Sequence, residues 1–513
     1  MGPPVGGSGP ATRDPGRTIY RSRHPAYDGA VTGHKRTKLL ATLGPASARP
    51  EVLDAMIAAG LDAVRLNFSH GTHEAHAANF AMVRAAAARA GRPIAILQDL
   101  QGPKIRIGKV KDGGIDVPTG STLTITTHEL EGDAGRVSTT YAALPRDVRP
   151  GLRILLDEGR LCVEVREIHG EDVVCDVIDG GRLSSNKGLS VPGATLTAAA
   201  MTDRDRDDAR FGLGLGVDLV ALSFVRRASD VTDLRQLMTS LGRVVPIIAK
   251  IEKPQAIENL DEIVAVADGV MVARGDLGVE VSLEMIPAHQ KHIIARANRA
   301  GKLVITATQM LESMTDNPIP TRAEVTDVAN AILDGSDAVM LSGETAVGKY
   351  PVETVRRMAA IARTTEETLY PFGERVRDAV EPGAPGSTSR DDFACVAAHL
   401  AASATHEIDV AAIVCLTRTG RTAMLLSDER PRAPIVALTA DPSVQRWLAL
   451  YWGVVPHLTD QLPDLPRLLA WAAAALPAAG LAGPGDTVVS VLGGDTAPGA
   501  THSVRIATLG AEP

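Results

Sequence analysis

Aromatic residues are scarce in this sequence: 3 Trp, 6 Tyr and 6 Phe make up 3% of 513 residues. Its cores must therefore be packed mainly from Ala, Val, Leu and Ile. Long hydrophobic runs are missing too. None approaches the about 18 uninterrupted apolar residues of a membrane-spanning helix, and the start, MGPPVGGSGPATRDPG, carries no apolar segment of the signal-peptide type. Residues 1–36 read as a disordered extension. Cysteine is limited to Cys162, Cys175, Cys395 and Cys415, far apart and without a CxxC pair. That spacing argues against a disulfide framework or a cysteine zinc site and predicts buried thiols in a reducing cytoplasm. Neither charge sign dominates: 53 Lys plus Arg against 61 Asp plus Glu leave a net charge of -8. Beyond a local basic cleft, neither a nucleic-acid partner nor a membrane is expected.

What the chain does have is glycine, 48 residues, and a recurring unit. From Thr37 onward, a short apolar run ending in Gly, Ser, Asn or Asp alternates with a longer segment of helical period. Eight such runs occupy 37–44, 62–69, 93–100, 218–224, 246–252, 269–275, 302–308 and 337–343. Nearly continuous apolar strands separated by helices predict a parallel sheet covered by helices, and eight of them predict a closed (β/α)8 TIM barrel. Between the third and fourth runs, segments such as GSTLTITTHEL and EDVVCDVIDGG alternate in the manner of β-hairpins. They read as an all-β domain inserted after the third strand, placed to act as a lid. After about residue 370, EPGAPGSTSR (381–390) reads as a joint. Beyond it come a helix over 391–404, strands at 410–416 and 434–439, helices from about Thr419 and over 441–451, and the terminal runs TVVSVLG and HSVRIATLG. The predicted fold class is α/β, with a barrel from 37–103 and 202–370, the insert at 104–201 and a C-terminal open α/β domain at 371–513.

In a barrel, chemistry gathers where strands end and loops begin. Those positions hold Arg65, Asn67 and Ser69, then Asp99, Lys250 and Glu252, Arg274 and Asp276, Thr308, and Ser342 with Glu344. Strand interiors would normally reject such groups. Lys250 and Glu252 are two apart and so share a strand face. Glu252 and Asp276 come from neighbouring strands, and two carboxylates without a nearby His or Cys suit a hard divalent cation, Mg2+ or Mn2+, rather than zinc. The alternative is that Lys250 and Glu252 merely pair with each other. Such an ion would stabilise an enolate, with Arg65 and Lys250 holding a phosphoryl group. Gly275 allows a tight turn whose amides, around Ala273 to Asp276, suit a carboxylate or phosphate. FGLGLG (211–216) ends a helix before a strand, the reverse of a dinucleotide fingerprint, so its glycines read as turn and close-packing residues and no NAD is implied.

RLNFSHGTHEAH (65–76), LQDLQGPKIRIG (97–108), NKGLSVPG (186–193), IIAKIEKPQAIENLDEI (247–263), GVMVARGDLGVE (269–280), ITATQMLESM (305–314) and MLSGETAVGKYP (340–351) resemble the pyruvate kinase family in order and in kind. The resemblance runs from about Thr37 to the C-terminus. It implies phosphoryl transfer from phosphoenolpyruvate to ADP, giving pyruvate and ATP. It also implies that Glu252 and Asp276 hold one divalent ion, that a second arrives with ADP, and that Lys250 and Arg65 serve the phosphoryl group. The backbone of Ala273, Arg274 and Gly275 would take the substrate carboxylate. Thr308 and Ser342, with water, would border the route by which the enolate is protonated, and Asn67, His70, Arg106 and Lys187 would surround the nucleotide. Phosphoryl transfer needs alignment and charge neutralisation rather than a nucleophilic side chain, so the missing Ser–His or Cys–His pair is no objection.

Many members of the family need K+, held by residues matching Asn67, Ser69, Asp99 and Leu100. Here Leu100 lacks a side-chain oxygen, and Lys104 stands where such members carry an acid. Lys104 resembles the K+-independent type, because its ammonium supplies the charge and repels a second cation; the alternative is that Lys104 is a surface residue and K+ still binds. In the C-terminal domain Thr417, Arg418, Thr419, Gly420, Arg421 and Thr422 resemble the family's effector loop and suit a phosphate. The facing loop, GGDTAPGATHS (493–503), has neither Trp nor Arg. That points away from a sugar bisphosphate and toward AMP or a sugar monophosphate, or toward no effector at all. The resemblance also implies a homotetramer. Two competing readings are a metal-dependent aldolase working through a pyruvate enolate, and a non-catalytic sensor of phosphorylated metabolites.

Overall fold

The computed structural model describes residues 35–157, 159–194, 197, 199–368, 393–493 and 501–510. Residues 1–34 of the expected extension, the 381–390 joint and residues 494–500 of the 493–503 loop lie outside the described residues. The described residues belong to one compact unit that begins at Lys35.

All eight apolar runs form strands: β1 (Lys38–Thr42), β2 (Ala63–Asn67), β3 (Ala95–Asp99), β4 (Leu219–Leu222), β5 (Ile247–Ile251), β6 (Gly269–Ala273), β7 (Leu303–Ala307) and β8 (Ala338–Leu341). They close a parallel barrel in sequence order, with β1 beside both β2 and β8. Every strand but β2 is buried along its whole length. Covered on both faces, such strands cannot alternate apolar with polar residues and instead read as continuous apolar runs. The barrel interior is filled by small and branched side chains, among them Leu40, Ala63, Leu97, Ala221, Ile248, Met271, Ile305 and Met340. The low aromatic content therefore leaves no deficit here.

After β3 the chain leaves the barrel and builds two antiparallel partners, Gly114–Val117 with Gly181–Ser184, and a curled six-stranded sheet with its own apolar core. It returns in the helix Asp203–Leu215, whose N-terminus carries a Thr202–Asp205 capping box. The Gly102 amide donates to Asp205 Oδ1 at 2.9 Å, so exit and re-entry are tied together. FGLGLG lies at this helix's end. A side chain on Gly212 would meet the Gln98 amide at 2.1 Å, which makes that glycine a close-packing residue of the helix–barrel contact.

The C-terminal α/β region is an open five-stranded sheet of β9 (Ala412–Leu416), β10 (Ile435–Thr439), β11 (Val454–Leu458), β12 (Thr487–Gly493) and β13 (Thr501–Thr508), in the order β11-β10-β9-β12-β13. Only β13 runs antiparallel to its neighbour. β11 and the helix Leu465–Ala478 were not anticipated in the sequence. Pro456 blurs an edge strand, and the Ala-rich run LPRLLAWAAAALPA has no polar face to reveal its period. This region packs on the N-terminal mouth of the barrel, where the interior cluster continues into Leu450 and Tyr451. Arg446 reaches Asp218 just before β4, and Arg430 reaches Asp337 just before β8, both at 2.7 Å. The catalytic rim expected in the sequence is the opposite one.

Cys162, Cys175 and Cys415 are free thiols, and burial pushes those of Cys175 and Cys415 up to about 12. Cys395 is only half-buried. Among the described residues no helix is long and apolar enough to cross a membrane.

Candidate active site

The C-terminal ends of β2, β3 and β5 carry a continuous chain of charge. Arg65 donates from Nε to Asp99 Oδ2 at 2.6 Å and from its guanidinium end to Thr42 Oγ1 at 3.1 Å. Asp99 also lies 3.4 Å from Lys250 Nζ, which donates to Ser223 Oγ at 2.8 Å and sits 2.8 Å from Glu252 Oε1. The Ser223 hydroxyl in turn donates to the Leu100 carbonyl at 2.7 Å. All of these side chains are shielded from solvent or nearly so. Burial alone would neutralise Lys250, but Asp99 and Glu252 overcome it and hold the ammonium well above its usual value. Burial would likewise raise Asp99, yet Lys250 and Arg65 keep it below the ordinary carboxylate range.

Glu252 differs. Its Oε2 accepts the Phe224 amide at 2.8 Å. Its Oε1 makes a charge contact with Lys250 but no well-directed hydrogen bond among the described residues. Burial, with the Asp276 carboxylate adding to it, raises its protonation tendency despite Lys250. A buried carboxylate oxygen with spare capacity, facing a second carboxylate, is a donor set that a hard cation fits. Among the described residues no cluster of three or more His, Cys, Asp or Glu could hold a metal.

Asp276 is exposed on the first turn of the helix Arg274–Glu280, which follows directly from β6. Ala273 ends that strand, and the Gly275 amide donates to Thr308 Oγ1 at 2.8 Å. Thr308 and Gln309 follow β7 with φ of 69° and 53°. For a β-branched residue this left-handed backbone costs about 1–3 kcal/mol, and such strain persists only where surroundings enforce it. The Arg274 side chain turns away from the rim, beneath that turn. After β8, Ser342 donates its amide to Glu344 Oε2 at 2.7 Å, while its hydroxyl is buried without a partner among the described residues. Glu344, wholly buried, also accepts the Leu311 amide at 3.1 Å.

Asn67 stands opposite Asp99 in the β2–β3 register, and the Ser69 amide donates to Asn67 Oδ1 at 3.1 Å. Leu100 is buried beside them and Lys104 is exposed. The two stems of the insert pair with each other: Ile107 N donates to Lys187 O at 2.9 Å, and the Arg106 guanidinium to Asn186 O at 2.7 Å. That pairing brings together Arg106 and Lys187, which are 81 positions apart in sequence (187 minus 106). Lys187 is itself paired with Asp157 at 2.8 Å. His70 is lowered by partial burial and then by Lys104, Arg106, Arg65 and Arg204. It marks an electropositive approach that favours anions.

The Thr417–Thr422 loop connects β9 to the helix Arg421–Asp428. Thr417 and Thr422 are buried, Arg418 and Thr419 exposed, and Arg421 half-buried. Gly420 takes φ of 82°, and a Cβ there would lie 2.1 Å from the Trp447 ring. The loop thus rests on an aromatic floor that only glycine admits.

Thr42, Ser223 and Phe224 belong to this site as well, though no charge marks them in the sequence. The signal that exposes Arg65 and Lys250 applies to them as well, since Thr42 ends β1 and Ser223 and Phe224 follow β4. Their uncharged side chains made the position easy to pass over.

Comparison with known proteins bears on the family and the fold. Residues 34–355 match the family described as "Pyruvate kinase, barrel domain", and residues 396–507 match "Pyruvate kinase, alpha/beta domain". Among curated relatives, Pyruvate kinase 2 of Synechocystis is 47% identical over 84% of this chain and 72% of its own length. Pyruvate kinase of Geobacillus stearothermophilus is 44% identical over 92% and 80%. Pyruvate kinase of Mycobacterium intracellulare is 43% identical over 93% and 99%. With a barrel, insert and C-terminal sheet in that order, and matches that run through nearly all of it, the chain belongs to the pyruvate kinase family.

Proposed function

We propose that this chain is a cytoplasmic, Mg2+-dependent phosphotransferase that converts phosphoenolpyruvate, ADP and a proton to pyruvate and ATP. The observation that carries the reading is the buried relay Arg65–Asp99–Lys250–Glu252 at one barrel rim. The relatives named pyruvate kinase support it. The bond from phosphorus to the enol oxygen breaks, a bond to the terminal oxygen of ADP forms, and the proton joins the enolate carbon.

Arg65 grips the phosphoryl group, its fork aimed by Asp99 and Thr42. Lys250, held ionised by its carboxylate neighbours, neutralises charge on the group in transit. The backbone amides of Ala273 and Arg274 orient the substrate carboxylate, while Gly275, whose own amide holds Thr308 Oγ1, shapes the turn. Glu252 and Asp276 are the residues that would hold Mg2+ or Mn2+. When bound, the ion supplies Lewis-acid stabilisation of the enolate and carboxylate oxygens, and a second ion would enter with the nucleotide. Thr308 and the Ser342 hydroxyl, which has no partner among the described residues, border the water that delivers the proton. Thr308 is too weak an acid to act without that water. Asn67, His70, Arg106 and Lys187 line the nucleotide approach, and the insert (104–201) excludes water as a lid.

Lys104 replaces the monovalent cation. Both oxygens of Asp99 are already engaged by Arg65 and Lys250, and Leu100 adds no side-chain oxygen. The Thr417–Thr422 loop would take a phosphorylated effector such as AMP or a sugar monophosphate. A homotetramer is proposed from the family likeness, with the exposed apolar residues Phe393, Val396 and Leu400 on the helix Phe393–Glu407 as a face for another copy. A metal-dependent aldolase would share Glu252 and Asp276 but has no use for the Arg65–Asp99–Lys250 relay.

Glu252→Gln tests the metal assignment independently of turnover. Mn2+ binding followed by electron paramagnetic resonance is expected to weaken at least about tenfold. Wild-type Mn2+ affinity in that variant would count against the assignment.

A further inference from the structure

We propose that the Arg274 side chain is a positioning residue for Thr308, locking the turn after β7 to the first turn of the helix that carries Asp276. The inference rests on the proposed role of Thr308 and adds the group that holds it there. The backbone of Arg274 belongs to the rim, but its guanidinium, 8% exposed, points back under Thr308 and Gln309. Nε and one terminal nitrogen donate to the Thr308 carbonyl at 3.3 and 2.7 Å, and the same terminal nitrogen reaches the Gln309 carbonyl at 3.2 Å.

Two consecutive left-handed residues bring successive carbonyls close to one point, where their dipoles repel. A planar, permanently charged fork that satisfies both removes the repulsion. The other terminal nitrogen is anchored from behind by Asp327 at 2.8 Å and by Gln290 at 3.3 Å. Thr308 is thus gripped twice from adjacent residues: its carbonyl by the Arg274 side chain, its hydroxyl by the Gly275 amide. The hydroxyl hydrogen is directed to the Ala307 carbonyl at 2.5 Å. One short segment, Arg274–Asp276, therefore sets the position of Thr308 relative to the carboxylate-binding amides and a metal carboxylate.

Lysine carries the charge but cannot serve both carbonyls and both anchors. Arg274→Lys is expected to lower kcat about 100-fold and to leave the KM for ADP unchanged, because the nucleotide approach lies on other elements. Exchange of the pyruvate methyl protons with D2O, measured with Mg2+ and inorganic phosphate, should fall in parallel. Asp327→Ala removes one anchor and should lower kcat about tenfold. It carries the test if Arg274→Lys does not fold. Wild-type kcat in whichever variant carries the test, or a loss of kcat matched by a rise in the KM for ADP, would overturn the proposal. An inactive wild-type enzyme would instead bring down the phosphoenolpyruvate reading itself.

Discussion

Lys250 donates to Ser223 at 2.8 Å, across the β4–β5 boundary of the barrel. The hydroxyl accepts from the ammonium and donates to the Leu100 carbonyl, so it fixes the buried ammonium of Lys250 between two carboxylates without altering their charge. Removing a hydrogen bond to a charged buried group costs about 1.5–3 kcal/mol. Ser223→Ala should therefore reduce kcat/KM for phosphoenolpyruvate by about 10- to 100-fold. Steady-state kinetics check this, and Ser223→Ala at wild-type kcat/KM would show that Lys250 is held by the carboxylates alone.

Lys104 and Leu100 lead to a prediction about salt. Asp99 is engaged by Arg65 and Lys250, in keeping with the proposal that Lys104 takes the place of K+. Rates in matched sodium and potassium salts should agree within about twofold once ionic strength is equal. Strong activation of the wild-type enzyme by K+ would contradict the assignment. Lys104→Glu should slow the reaction in sodium and regain rate in potassium.

Lys38 predicts an alkaline effect on stability. It is buried at the contact between the barrel and the C-terminal region, where it donates to the Val454 carbonyl at 2.6 Å. Burial lowers it from 10.5 to about 8, although Asp62 opposes the shift; Lys35 and Arg92 reinforce it. The unfolded chain binds this proton more tightly between pH 8 and 10.5, so the contribution of Lys38 to stability rises with pH across that window. Its cost is present in full below pH 8 and amounts to about 3 kcal/mol there. Denaturant unfolding at pH 7 and pH 10 should show wild type gaining on Lys38→Met. A constant difference between the two proteins would refute the shift.

The barrel was legible because its strands are buried on both faces, which turns each into an unbroken apolar run, and because the insert changes the period abruptly. The charged rim was legible for the same reason, since Lys250 and Glu252 interrupt or end such a run and have no business in one. What escaped depends on side-chain direction. Nothing in VARGDLGVE tells that Arg274 folds back under Thr308 instead of facing the rim. Nothing in SNKG tells that Asn186 reaches Arg106, since the insert's pairing is long-range. β11 was lost to Pro456, and Ser223 to its lack of charge.

The most direct test supplies the purified protein with phosphoenolpyruvate, ADP and Mg2+ and follows ATP and pyruvate together. Both should appear in equal amounts, neither should form without Mg2+, and Lys250→Met should lower the rate by at least about 1000-fold. Absence of both products at any concentration of AMP or sugar phosphate, or pyruvate released without ATP, would contradict the proposed reaction.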